Sequence, residues 1–187
     1  MSSGVFLFRL RWWGEDWIVE DLAVNELELA LVGDSAAAPP AHILEGLRDE
    51  LAHRTVAGVP HTIYQELWHI TFWQEVTLDW IDGEETPFPE RPAVGFGSEV
   101  PVERERWDAL CARFFAGNEK AGAVARDSAR LERIVRCPSR PSKPARVMSV
   151  REQLESLAAH NAYHFGRIVL LRQLFGAWPP ASGGFNW

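Results

Sequence analysis

The pattern of apolar residues near the C-terminus is the feature that most constrains what this chain can fold into. Between residues 149 and 176, mostly apolar side chains recur at alternating steps of four and three, which is the period of one helix face. This stripe comprises Val150, Leu154, Leu157, Asn161, His164, Ile168, Leu171 and Phe175. Ser149, followed three residues later by Glu152, is a helix-capping pair. We therefore predict one long amphipathic helix over 149–176 that faces a core.

Two histidines lie within this helical pattern, one turn apart. His164 is in the stripe itself and His160 borders it, so both imidazole rings are expected to face inward. Burial of two imidazoles without hydrogen-bonding partners costs free energy. A metal ion shared between them would satisfy both rings at once.

The rest of the chain contains three more long helical patterns and one short one. The long patterns span 17–32, 62–82 and 102–127, and the short one spans 41–52. We find no alternating strand pattern and no internal repeat in the sequence. The predicted fold is therefore all-α, a four-helix bundle with a short extra helix and long connecting loops. The 187 residues fit a single domain over 16–187, preceded by an N-terminal arm over 1–15 that matches no element.

The helix predicted over 62–82 is apolar around most of its circumference. Thr62 and Gln65 form a second capping pair at its start, and Gly83 follows its end. Such a helix is either central in the bundle or contributes to a second buried surface. A homodimer interface is the simplest second surface.

The charge and composition of the chain narrow its functional class. The net charge of −7 disfavours broad binding to nucleic acids or anionic membranes. No apolar run approaches the length of a transmembrane helix. Cys111 and Cys137 are far apart and are expected to be thiols in a reducing compartment, which predicts a cytoplasmic protein. The basic stretch over 126–146 either attracts an anionic substrate or is a solvated loop.

A site with two histidines needs a further ligand, because catalytic zinc sites usually use three protein ligands and a water. His69 is the best candidate, because it lies inside the helix 62–82 on a face otherwise committed to packing. Facing helices of a bundle often supply metal ligands. His42, His53 and His61 are expected to be ordinary surface or capping residues. The alternative for the three inward-facing histidines is that protein groups satisfy them as core residues.

Two segments, in this order along the chain, carry a family resemblance. The first is Leu67-Trp68-His69-Ile70, in a tryptophan-rich helix that ends at Asp82-Gly83. The second is His160-Asn161-Ala162-Tyr163-His164-Phe165-Gly166-Arg167-Ile168, followed by Leu171-Arg172 and Gly176-Ala177-Trp178-Pro179-Pro180. With this combination, the chain over 17–178 resembles the DinB-like superfamily of small metal-binding four-helix bundles.

The resemblance implies a divalent metal ion held by His69, His160 and His164, with open positions for water or a small-molecule substrate. It also implies a homodimer and, by similarity to characterised relatives, transfer or isomerisation reactions that use a low-molecular-weight thiol. Neutral imidazole suits zinc, nickel, iron and copper, of which we expect zinc or nickel.

Four further residues are candidates for a part in such a site. Glu66 lies one turn before His69, where it is either a hydrogen-bonding partner or general base of the site, or a residue that faces solvent. Tyr163 and Arg167 flank the site and either meet the substrate or serve in packing and a surface ion pair. Asn161, within the stripe, is a candidate to orient a ligand.

Two classes of function follow from these residues. In the first, the protein is a metal-dependent enzyme whose metal activates a thiol for transfer to an electrophilic small molecule, or a water for hydrolysis. In the second, it is a non-catalytic metal-binding module of a stress response. An open coordination position favours catalysis, and a closed site with four ligands favours the second class.

Overall fold

The computed structural model describes residues 8–12, 15–19, 25–33, 35–97, 105–138 and 144–184. The elements follow in the order β1 (Phe8–Trp12), β2 (Glu15–Val19), α1 (Glu26–Val32), α2 (Pro40–Leu44), α3 (Asp49–Ala52), α4 (Ile63–Asp82), α5 (Trp107–Ala125), α6 (Ser128–Leu131), β3 (Ile134–Cys137), β4 (Arg146–Ser149) and α7 (Val150–Leu174). A short 3₁₀ helix, Pro92–Phe96, lies between α4 and α5.

Four of these helices form a bundle. α4 packs against α5 and α7, and α1 completes the ring by packing against the same two helices. The prediction of an all-α four-helix bundle is therefore confirmed. Two small antiparallel sheets, β1–β2 and β3–β4, are added to it.

The two longest helices begin at the capping pairs that the sequence predicts. The Thr62 hydroxyl accepts a hydrogen bond from the Gln65 backbone at 3.2 Å, and the Gln65 side chain accepts one from the Thr62 backbone at 3.0 Å. Ser149 and Glu152 make the same reciprocal pair at the start of α7. α4 ends at Gly83, whose left-handed conformation, with φ of 94°, favours glycine.

The core has two main apolar clusters along the contact of α4 and α7. One contains Ile63, Leu67 and Ile70 of α4 with Phe165, Ile168 and Leu171 of α7. The other contains Leu78 and Ile81 of α4 with Val150, Leu154 and Leu157 of α7. The buried polar residues Gln74, Asn161 and His164 fall between these two groups in the sequence of each helix. The candidate site thus lies at the middle of the bundle, where apolar packing is interrupted.

α4 is the central helix, which confirms one of the two interpretations of its apolar circumference. Besides α5 and α7, it contacts the 3₁₀ helix and β3. These elements cover the second apolar surface of α4, so the burial of that surface does not require a second copy of the chain.

The helix predicted over 17–32 is wrong in its first half. Strand β2 occupies Glu15–Val19 and pairs with β1, with Phe8 opposite Val19 and Trp12 opposite Glu15. The helix begins only at Glu26, because the Asn25 side chain caps it by accepting a hydrogen bond from the Glu28 backbone at 3.1 Å. Strands of five residues are too short for an alternating pattern to be distinct from helical periodicity.

The prediction of no strands is also wrong within the basic stretch 126–146. β3 and β4 pair with Ile134 opposite Ser149 and Cys137 opposite Arg146, so part of this stretch is a hairpin rather than a solvated loop. Residues 139–143 lie outside the described part of the chain.

Two other helix boundaries differ from the predictions. The short helix predicted over 41–52 is divided into α2 and α3, separated by a turn at Gly46 with φ of 68°. α5 begins at Trp107, later than the predicted start at residue 102. The turn at Gly46 carries no apolar signature, and the exact end of a helix is the least specific part of a helical pattern.

We expect Ser149→Ala to lower the free energy of unfolding by about 1 kcal/mol, because it removes the side-chain acceptor that caps α7. Urea unfolding followed by circular dichroism measures the change. Ser156→Ala is the matched control, since Ser156 is exposed in the interior of the same helix and alanine favours helix there. Equal loss of stability in both variants would contradict the capping role.

Candidate metal centre

Three histidines from two helices meet between α4 and α7. His69 belongs to α4, and His160 and His164 lie one turn apart on α7. Their ring centroids are 4.5–5.0 Å apart. One potential ligand nitrogen from each ring lies within 4.8 Å of the other two. The three histidines that the sequence predicts to meet therefore lie together in the structure.

His164 is oriented by a hydrogen bond to a buried carboxylate. Its Nδ1–H donates a hydrogen bond of 2.6 Å to Oε2 of Glu66, a fully buried residue. Arg167 donates from Nε to the other carboxylate oxygen at 2.7 Å. Because Nδ1 of His164 carries the proton, its Nε2 presents a lone pair. A carboxylate that fixes the tautomer of a histidine is a common neighbour of a metal ligand.

His69 is oriented by a backbone carbonyl from the loop that follows α4. Its Nδ1–H donates to the Gly95 oxygen at 2.8 Å, which leaves Nε2 as the acceptor. Phe96 stacks on the His69 ring at 3.9 Å between centroids, with 7° between the planes. His61 stacks on the opposite face of Phe96 at 3.8 Å. The loop therefore fixes the His69 ring by a hydrogen bond at its edge and by stacking on its face.

His160 contributes a buried nitrogen that the described residues leave without a partner. Its Nε2 makes no hydrogen bond within that part of the chain. Its Nδ1 lies 3.4 Å from Oδ1 of the buried Asn161, which is long for a strong hydrogen bond. An unsatisfied buried nitrogen next to two oriented imidazoles fits a bound metal ion, because coordination would satisfy it.

The charge states at the centre suit metal binding. Burial lowers the pKa of His69 and of His160 to about 4, so both rings are neutral near pH 7. Burial alone would raise the pKa of Glu66, but the hydrogen bonds from His164 and Arg167 outweigh it and lower that pKa. Imidazole nitrogens are donors suited to zinc, nickel, iron or copper, whereas the Glu66 carboxylate is already engaged by His164 and Arg167.

Glu66 does not face solvent, so that interpretation of its position is wrong. It is a direct partner of His164. Arg167 is partly exposed and pairs with this buried carboxylate rather than with a surface acid. Tyr163 is 63% exposed, and its ring makes a T-shaped contact with the His164 ring at 4.9 Å between centroids.

The other three histidines lie outside the cluster. His53 caps α3 and stacks on Tyr64, and His42 lies beside Glu45. His61 is not an ordinary surface residue, because it stacks on Phe96 and its Nδ1 is buried. The contacts of Gly95 and Phe96 with His69 could not be predicted from the sequence. The only signal there was the proline- and glycine-rich loop after Gly83.

The sequence was compared with models of known protein families, and one of them matches. A family model of the DinB superfamily matches residues 40–168, which is more than half of the chain. The chain belongs to the DinB superfamily. The assignment made from the two motif segments is therefore confirmed, and the matched range contains all three histidines of the cluster. No curated protein matches the chain.

None of the described helices of this DinB-superfamily chain combines the length and the apolar character needed to cross a bilayer. Cys111 and Cys137 are both thiols.

We expect the metal-free protein to lose stability as the pH falls from about 6.5 to about 4. In the unfolded chain His69 and His160 have ordinary pKa values near 6.5, whereas in the folded protein both values are about 4. Between these limits the unfolded state binds more protons, so protonation favours unfolding, and the loss is absent above about pH 6.5.

Urea unfolding of the metal-free protein at several pH values measures this slope. His160→Gln is expected to flatten the slope, because it removes one of the two groups with a lowered pKa. Stability that stays constant over this pH range in the unsubstituted protein would contradict the burial of neutral imidazoles.

Proposed function

We propose that His69, His160 and His164 bind one divalent metal ion, zinc or nickel, and that the protein is a metal-dependent enzyme. The observation that carries this proposal is the set of three imidazoles whose ligand atoms lie within 4.8 Å of one another. When bound, such an ion acts as a Lewis acid and lowers the pKa of a thiol or water that it coordinates. Three protein ligands leave coordination positions open, as in catalytic sites.

The reaction that we propose is transfer of a low-molecular-weight thiol to an electrophilic small molecule. Its support is the family resemblance, together with a donor set of three histidines and no anionic side chain. Because such a set contains no anionic protein ligand, no ligand charge repels a thiolate that binds next to the divalent cation. Hydrolysis and a non-catalytic stress-response role are the alternatives that the experiments below separate.

The residues around the cluster have separate proposed roles. Glu66 is a positioning residue rather than a general base, because both of its oxygens are engaged by His164 and Arg167. Arg167 offsets the charge of Glu66 where the carboxylate is removed from water. Tyr163 is proposed to contact the substrate, since its exposed ring lies against His164.

A homodimer and a cytoplasmic location stay predictions. The support for a dimer is the family resemblance and the exposure of Leu170 and Leu174 on one side of α7. The support for the cytoplasm is that both cysteines are thiols.

We expect one zinc or nickel ion per chain after reconstitution of the chelator-treated protein. His69→Ala, His160→Ala and His164→Ala should each weaken binding by more than about 100-fold, because each removes a ligand. Glu66→Gln should weaken it by about 10–100-fold, because it disturbs the partner of His164. Elemental analysis gives the stoichiometry, and competition with a chromogenic chelator gives the affinity.

Glu75→Gln is the matched control for Glu66→Gln. Glu75 lies on the same helix but pairs with Arg113, away from the cluster, so its loss should leave metal affinity unchanged. Failure of the unsubstituted protein to bind any divalent metal after reconstitution would overturn the proposed site.

The reaction is tested by incubating metal-loaded protein with a panel of low-molecular-weight thiols and small electrophiles. We expect loss of thiol and formation of a thioether product, with at least about tenfold less turnover in the metal-free protein. A thiol-independent cleavage product would instead support hydrolysis. Metal binding without any turnover across the panel would support the non-catalytic module and refute the transferase proposal.

A further inference from the structure

A cavity of about 220 Å³ lies beside His160, and Phe96 is not part of its lining. It is enclosed by α4, α7, the β3–β4 hairpin and the loop after α4. Its lining comprises Trp73, Thr77, Trp80, Phe88, Cys137, Arg146, Met148, Gln153, Ser156, Leu157 and His160. An apolar cavity of about 150 Å³ accommodates benzene, so this volume is enough for one ring with a substituent.

Aromatic residues form one wall of this cavity. The Phe88 ring lies 4.9 Å from Trp80 and 5.6 Å from Trp73, measured between centroids. The Trp80 indole is held in place because its Nε1–H donates to the Thr86 carbonyl at 2.7 Å. A preformed aromatic surface of this kind stacks favourably with a planar ring.

The two ends of the cavity differ in their chemistry. The residues of α7 that line it run from Gln153 to His160, which is about 10 Å along the helix axis. The hairpin lines the Gln153 end, where Met148 Sδ lies 3.4 Å from the Gln153 amide. His160, at the other end, belongs to the three-histidine cluster.

The end of the cavity next to the β3–β4 hairpin carries a cationic side chain. Arg146 lines the cavity and is exposed, and no carboxylate in the described part of the chain forms an ion pair with it. Glu152 is near enough to interact with its charge but is engaged by the Ser149 cap. The guanidinium group of an arginine at the edge of a cavity with an aromatic wall has the geometry to pair with the carboxylate of a ligand.

We propose that this cavity binds a single-ring aromatic carboxylate, with its ring on the Trp73, Trp80 and Phe88 wall and its carboxylate on Arg146. The part of the ligand remote from the carboxylate then faces His160. This inference rests on the proposed function in one respect: the aromatic acid is a substrate when its end near His160 carries a double bond conjugated to a carbonyl, across which the thiol adds its sulfur and its proton with no leaving group.

The test uses 3-phenylpropionate and its neutral amide as probes, measured by isothermal titration calorimetry on metal-loaded protein. We expect the acid to bind about fivefold more tightly than the amide, because only the acid pairs with Arg146. Arg146→Gln should abolish this preference. Arg151→Gln is the matched control, since Arg151 is also exposed but faces Glu132 and does not line the cavity, and it should keep the preference.

A second variant tests the location independently of charge. Ser156→Trp places a large ring at the rim from an exposed position on α7, and should weaken binding of both probes by at least about tenfold without change in metal stoichiometry. In the cobalt-substituted protein, 3-phenylpropionate should alter the visible absorption of the cobalt ion, and Ser156→Trp should remove that effect.

The outcomes separate this inference from the proposed function. Equal affinity for acid and amide in the unsubstituted protein, or no effect of Ser156→Trp, would overturn the cavity assignment even if metal binds. Selective probe binding in a protein that binds no metal, or that shows no thiol transfer, would uphold the cavity and refute the proposed enzyme.

Discussion

The Glu66 carboxylate, buried between α4 and α7, is the interaction on which the rest of this structure depends. An isolated carboxylate in such surroundings would be strongly unfavourable, so it needs partners that are present only in the folded chain. Arg167 and His164 occupy its two oxygens, and both come from α7. The pair can therefore form in only one register of the two helices. That same register places His69 opposite His160 and His164.

Much of the fold could be predicted from the sequence, because the signals that specify it are local. The capping pairs at Thr62 and Ser149 and the periodicity of α7 depend on neighbours within a few residues. The burial of Glu66 depends instead on partners about a hundred residues away, which helical periodicity cannot show. The Gly95 carbonyl was equally hidden, since a backbone acceptor carries no side-chain signature. The hairpins were missed because each strand has only four or five residues.

The two sides of the histidine cluster are unlike each other, and one loop contributes to both. Gly95 and Phe96 cover the His69 side, where the carbonyl fixes one edge of the ring and the phenyl group covers one face. Phe88, from the same loop, forms part of the aromatic wall beside His160. The cavity proposed to bind the aromatic acid lies beside His160. A displacement of the loop would affect the orientation of His69 and the shape of the cavity together.

Strand β4 passes into α7 without an intervening loop, because Ser149 is both the last residue of the strand and the cap of the helix. Arg146 and His160 are therefore carried by one continuous rigid unit, although they serve opposite ends of the cavity. Substitutions in the hairpin can change what the cavity admits while the ligand turn of α7 is preserved. Under the proposed function, the metal ligands and the residues that select the substrate thus lie on adjoining segments, so substitutions in the hairpin can alter the choice of substrate while the three histidines are kept.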